Sequence, residues 1–114
     1  MTPCELLICA EDAMVNSYSP YSGFSVGAAL ITADGRVYKG CNIENSAFSP
    51  TICAERTAFF KAISEGENDF EAIAIVGKYK NGEYKHLCYP CGVCRQVMEE
   101  LHITKENPII LNLP

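Results

Sequence analysis

Basic side chains are scarce in this 114-residue chain: nine Lys and Arg stand against fourteen Asp and Glu, a formal net charge of −5. Sequence-independent binding to phosphates draws its energy from Lys and Arg, so this balance argues against a nucleic-acid partner. The few that gather, Lys78, Lys80 and Lys85 around Asn81-Gly82, read as a solvated loop. Long apolar runs are absent as well; none approaches the ~18 residues a bilayer span requires, so no membrane partner is expected. The first residues lack the basic start of a secretory leader and carry Glu5, Glu11 and Asp12 where a leader stays apolar. Linkers, repeats and low-complexity tracts are missing too. With 48% hydrophobic and 20% charged residues the chain is not disordered, and one domain over residues 1–114 with a single core is expected.

Cysteine is the residue in excess. Seven in a chain of this length is an odd number, which a closed disulfide set accommodates poorly. A cytoplasmic, reducing location follows as the expectation, and clustered cysteines there are more often metal ligands or catalytic groups than staples.

The local signals give the order α-β-β-α-β-α-β. Thr2, Pro3 and Glu5 form a helix start, with Leu6, Ala10, Ala13 and Ser17 on one face and Leu7 and Met14 on its flank. Ser25 to Thr32 and Arg36 to Asn42 are strands around an Asp34-Gly35 turn. Ser49-Pro50-Thr51 is expected to open a second helix ending near Ser64, and Ala72 to Gly77 is a buried strand. Pro90 opens a third helix to about Leu101, and Pro108 to Leu113 is a last strand. This is an α/β domain with a mixed sheet layered between helices, four strands in all.

Two segments carry the chemistry: Cys53-Ala54-Glu55-Arg56 and Pro90-Cys91-Gly92-Val93-Cys94-Arg95. Each puts cysteine in the first turn of an expected helix, where unpaired N–H groups and the helix dipole favour thiolate. Cys91 and Cys94 share a helix face, and Cys53 can supply a third thiolate if the two helix starts meet. Three thiolates on one Zn2+ leave its fourth position open for water, as in catalytic sites. Glu55 is then placed to move that water's protons, and zinc can lower the water's pKa to about 7. Zinc with three thiolates carries a net negative charge, which weakens it as a Lewis acid; the Arg56 guanidinium, or its competitor Arg95, would offset that charge.

Together these motifs resemble the zinc-dependent cytidine deaminases, specifically the small homotetrameric branch with three cysteine ligands. The similarity extends over Phe24, Val26 to Leu30, Gly40 to Asn45, Cys53 to Ala58 and Pro90 to Gln96 in collinear order. It implies a layered α/β/α fold, one Zn2+ per chain held by Cys53, Cys91 and Cys94, and Glu55 as the catalytic acid–base in the manner of that deaminase class. It further implies that Asn42 and Glu44 bind the ribose, that Phe24 walls the pyrimidine, and that Ala54 lies beside the substrate. Ala47 and Phe48 would reach a neighbouring subunit's site. The implied reaction is hydrolytic deamination of cytidine and 2′-deoxycytidine in pyrimidine salvage. Family members usually run past the last expected strand, with a further strand and a C-terminal aromatic segment. Tyr89 also stands where they commonly have Ser.

Plainer readings stand beside these. Cys91 and Cys94 alone fit thiol redox chemistry, structural zinc or catalytic zinc equally; Cys53 and Glu55 upstream turn the balance to catalysis. A closed structural site with Cys88 or His86 as fourth ligand is the main rival, although Pro90 should carry Cys88 away. Cys4, Cys9, Cys41 and Cys88 read as small packing residues, His86 and His102 as ordinary histidines, and Phe59 and Phe60 as core or interface. Glu44 without the resemblance would be a surface carboxylate. A deaminase of another nucleoside-like substrate and a non-enzymatic zinc module are the alternative functions.

Overall fold

A computed structural model describes residues 2–47, 50–79, 82, 85–86, 94, 96–97 and 109–111. The described elements are α1 (Pro3–Ala13), a 3-10 turn (Met14–Asn16), β1 (Phe24–Thr32), β2 (Val37–Cys41), α2 (Ala54–Ser64), β3 (Phe70–Tyr79), β4 (Lys85–His86) and β5 (Ile109–Leu111). Strand β1 pairs antiparallel with β2 on one side and with β3 on the other. The far edge of β3 is divided between antiparallel β4 and parallel β5. The sheet is mixed, as expected, but it has five described strands rather than four. The added one, Lys85–His86, lies in the lysine-rich stretch read as loop: Lys78 faces Lys85 and Gly77 faces His86 across a hairpin. Two residues are too few for any periodicity, so only pairing with β3 reveals this strand.

Side chains alternate along β1 and β3 and so build two cores. Ala28 and Leu30 of β1 and Ile73 and Ile75 of β3 face α2, meeting Ala54, Ala58, Phe59 and Ala62. Ala29 and Ile31 with Ala72, Ala74 and Val76 face α1, meeting Leu6 and Ala10. One helix therefore covers each face, the α/β/α layering. Of the expected third helix, the described residues Cys94, Gln96 and Val97 are helical, and Val97 packs on the α2 side. Phe59 is wholly buried and meets Phe70 edge-on at 5.4 Å; its loss would cost about 3–5 kcal/mol by the usual scale of aromatic truncation.

The start of α1 is a capping box: the Thr2 hydroxyl accepts from the Glu5 N–H, and the Glu5 carboxylate accepts from the Thr2 N–H. Its end differs from expectation. The helix tightens after Ala13, so Ser17 leaves the buried face in an extended conformation and its hydroxyl donates to Asn42. The Asp34-Gly35 turn forms as expected, with Gly35 at φ +92°.

The second helix starts at Ala54, three residues beyond Thr51. Ile52 and Ile43 exchange both backbone hydrogen bonds (3.0 and 2.9 Å), which holds the chain extended up to Cys53. The Thr51 hydroxyl folds the preceding loop instead of capping the helix, accepting from the Asn45 N–H at 3.0 Å. Gly40 lets α2 lie close on β2: a Cβ there would sit 2.5 Å from the Ala54 oxygen and the Ala58 nitrogen. The Thr57 hydroxyl, 3.0 Å from the Cys41 carbonyl and 3.2 Å from that of Cys53, ties the same two elements together. The start of α2, where the chemistry sits, is thereby set against the sheet.

Candidate active site

Cys53 is the N-cap of α2, with extended backbone (φ −79°, ψ 156°) and no capping hydrogen bond from its own side chain. Its sulfur is thus at the positive end of the helix, where thiolate is favoured. Glu55, at the second helical position, is 4% exposed, and Cys94 is 1% exposed. Cys94 lies beside the Glu55 carboxylate and favours its charged form. Arg56 donates to the Cys53 sulfur at 3.6 Å, and Cys94 also favours the charged guanidinium. Two cysteines from separate parts of the chain, the carboxylate and the guanidinium therefore meet at one place.

Burial pushes the Glu55 carboxyl above its ordinary range; the neighbouring Cys53 adds to this, while backbone hydrogen bonding, Cys94 and Arg56 act the other way. For Arg56, burial opposes the charged form, but hydrogen bonds to Cys53 and Cys94 outweigh it and hold the guanidinium charged. Its Nε is buried without a hydrogen-bond partner among the described residues. Such a cation aimed at sulfur suits thiolates better than neutral thiols.

Among the described residues no group of three His, Cys, Asp or Glu is assembled for a metal. The third expected ligand, Cys91, lies outside them, as do Phe48, Cys88, Tyr89, Arg95 and His102. The donor chemistry nevertheless fits zinc: two sulfurs at one site, a charge-compensating guanidinium and an adjoining carboxylate. Cys4 is exposed, and Cys9 and Cys41 are half-buried free thiols. Cys9 packs against the α1 core, while burial raises the Cys41 thiol against the opposing effect of Lys61.

The residues assigned to the nucleoside surround the start of β1. Phe24 is half-buried and stacks obliquely on Tyr79, centroids 4.8 Å apart, as its cross-strand partner. Asn42 lies just beyond β2, and its amide does structural work. Oδ1 accepts from the Val26 N–H at 2.9 Å and from the Ser17 hydroxyl, and Nδ2 donates to the Phe24 carbonyl at 2.8 Å. The second Nδ2 hydrogen has no acceptor among the described residues. Glu44 is half-buried; its carboxylate accepts from the Tyr21 and Ser22 N–H groups at 3.0 and 3.1 Å and from the Ser22 hydroxyl. It is thus a carboxylate anchored to the Tyr21–Ser22 segment. The Ala54 side chain is buried in the core, so only its backbone is available to a substrate. Ala47 is exposed, with its N–H on Asn45 Oδ1 at 3.0 Å. Sequence reasoning missed Tyr79 and Ser22. Strand register would have exposed the first, and nothing local signals the second.

A carboxylate buried against thiols at the open end of a helix is the equipment of a metal-dependent hydrolase, since a redox pair needs no acid beside it. The profile described as the cytidine and deoxycytidylate deaminase zinc-binding region matches residues 2–107. The chain belongs to that family, an enzyme family that acts on cytidine. It is 51% identical over 96 residues to a cytidine deaminase of Sporosarcina psychrophila, covering 84% of this chain and 67% of that one. It is 53% identical over 92 residues to a cytidine deaminase of Halalkalibacterium halodurans, covering 81% and 66%. The matched stretch thus spans about two thirds of these relatives' length. Among solved structures, cytidine deaminase from Burkholderia pseudomallei superimposes with a TM-score of 0.85 at 45% identity, over 98% of this chain and 85% of that one. Cytidine deaminase from Mycobacterium tuberculosis gives 0.76 at 38% identity, over 88% and 77%.

Proposed function

We propose that this protein hydrolyses cytidine and 2′-deoxycytidine to uridine and 2′-deoxyuridine, releasing ammonia. The observation that carries the reading is the meeting of Cys53, Glu55, Arg56 and Cys94 within a family whose profile is a zinc-binding region. Cys53, Cys91 and Cys94 would hold one zinc per chain, which would supply Lewis-acid activation of a water at neutral pH. Glu55 takes a proton from the attacking water and delivers it to N3 of the pyrimidine, then takes the proton of the new C4 hydroxyl and delivers it to the departing amine. Oxygen adds at C4 and the bond from C4 to the exocyclic nitrogen breaks. Phe24, backed by Tyr79, walls the ring, while Asn42, through its remaining amide hydrogen, and Glu44 hold the sugar and so fix the ring's position.

Arg56 offsets the thiolate charge. Arg56→Ala should retain the three ligands but make deprotonation of the attacking water harder, so the acidic limb of the rate profile moves to higher pH. A kcat/KM profile measured from acid to neutral pH checks this, and an unchanged profile would move the neutralising role to another group such as Arg95.

The reading is tested directly by incubation with cytidine while following the ultraviolet change on conversion to uridine, beside a zinc assay. Free cytosine, which lacks the sugar that positions the ring, should be poorer by roughly 10³-fold or more, because a site built to hydrogen-bond hydroxyls is left with unpaired groups. Equal rates on cytidine and cytosine would remove both the ribose assignment and the nucleoside reading.

The assembly is proposed as a homotetramer. Phe60 and Ile63 on the outer face of α2 are 46% and 41% exposed, apolar surface that other copies of the chain would cover. Ala47 and Phe48 would then reach a neighbour's site. A cytoplasmic location in pyrimidine salvage suits the free thiols. No helix among the described residues is long and apolar enough to cross a membrane.

A further inference from the structure

The Ser17–Phe24 segment is anchored to the two residues assigned to the sugar. Glu44 takes the N–H groups of Tyr21 and Ser22 on one carboxylate oxygen and the Ser22 hydroxyl on the other. The same Ser22 hydroxyl accepts from the Phe24 N–H at 3.0 Å. A hydroxyl has one hydrogen to give and lone pairs to receive, so both bonds are made at once. On the other side of that residue, the Phe24 carbonyl accepts from Asn42 Nδ2 at 2.8 Å. Gly23 permits this path: it sits at φ +68°, where a side chain would be strained, and brings Phe24 back over Ser22.

We infer that Ser22 is a positioning residue for the substrate: its hydroxyl joins Glu44 to the backbone of Phe24, so that sugar recognition and the ring wall move as one hydrogen-bonded unit. The inference rests on the assignment of Phe24, Asn42 and Glu44 to the nucleoside. The Phe24 peptide is held by Asn42 directly at its carbonyl and by Glu44 through Ser22 at its N–H. Tyr79 supports the ring across the sheet, 4.8 Å away. Removing the Ser22 hydroxyl takes one hydrogen bond from the Glu44 carboxylate and leaves the Phe24 N–H without its acceptor. Binding of a nucleoside weakens on both counts, while the thiolates and Glu55 are untouched. Because the bond to carboxylate is charge-assisted, its loss outweighs that of a neutral surface hydroxyl.

The test compares the zinc-loaded full chain with Ser22→Ala and Ser22→Thr. For Ser22→Ala, KM for cytidine should rise about tenfold with kcat within about twofold and zinc content unchanged, the pattern of lost binding rather than lost chemistry. Ser22→Thr, which keeps the hydroxyl, should restore KM. Amide exchange followed by NMR should show the Phe24 N–H exchanging faster in Ser22→Ala than in the unmodified protein and in Ser22→Thr. An unchanged KM, or a kcat loss with KM intact, overturns the inference, as does a Phe24 N–H that exchanges equally in the unmodified protein and Ser22→Ala. If the unmodified protein fails to turn over cytidine, the proposed function falls, while Phe24 exchange still decides whether Ser22 holds the wall.

Discussion

Glu55→Gln should keep its zinc and still bind cytidine, yet turn over at least roughly 10²–10⁴-fold more slowly, the usual worth of a positioned acid–base group. The two side chains have nearly the same shape, so the variant tests proton transfer rather than packing. Glu55 is 4% exposed and touches Cys94, and an amide in that place can still hydrogen-bond but cannot accept and return a proton. Two successive proton relays in the proposed reaction pass through the same carboxylate, so the loss exceeds the range for a single step. The measurements are single-turnover rates at saturating cytidine, zinc content and melting temperature. Turnover near that of the unmodified protein would take Glu55 out of the mechanism. Loss of zinc would make it a ligand instead of a proton carrier.

The second large effect is expected at the sulfurs. Cys53→Ala, Cys91→Ala and Cys94→Ala should each lose zinc and activity together, and stability with them, because metal binding is coupled to folding. A ligand held at about 1,000 times its dissociation constant stabilises the folded state by roughly 4 kcal/mol. Forfeiting it should lower the melting temperature by more than about 10 °C in a domain of this size. Cys94→Ala has a further cost, since that sulfur is buried beside Arg56, whose charged form it favours, and its removal leaves a gap in the packed site. Cys88→Ala is the control, with zinc expected to stay at one per chain. If that variant strips the metal, the site is a closed four-ligand one and the catalytic reading of the zinc fails.

Interactions between near neighbours were legible in the residues themselves. The Thr2 and Glu5 capping box, the Asp34-Gly35 turn and the buried β3 strand form where local chemistry puts them, because each depends on contacts a few residues apart. The unbroken apolar run from Ala72 to Gly77 likewise marked a strand buried on both faces, and the side chains of β3 divide between two cores. The chemical grouping of Cys53, Glu55 and Arg56 was equally readable, as all three belong to the start of one helix.

What the tertiary structure alone decided are the pairings made across the chain. Ile43 holds Ile52 extended and delays α2 to Ala54; β3 turns Lys85–His86 into a strand; Asn42 draws Ser17 off the helix face. Tyr79 reaches Phe24 through strand register, and Cys94 comes beside Glu55 from a distant part of the chain whose Val97 packs on the α2 side. Residue type says which groups can bond, but a hydrogen bond lasting only a few ångströms in space selects its partner by where the folded backbone brings it. Glu44 shows the difference most plainly: from the residues a carboxylate on the surface, in the fold the acceptor that fastens Tyr21, Ser22 and, through the Ser22 hydroxyl, Phe24.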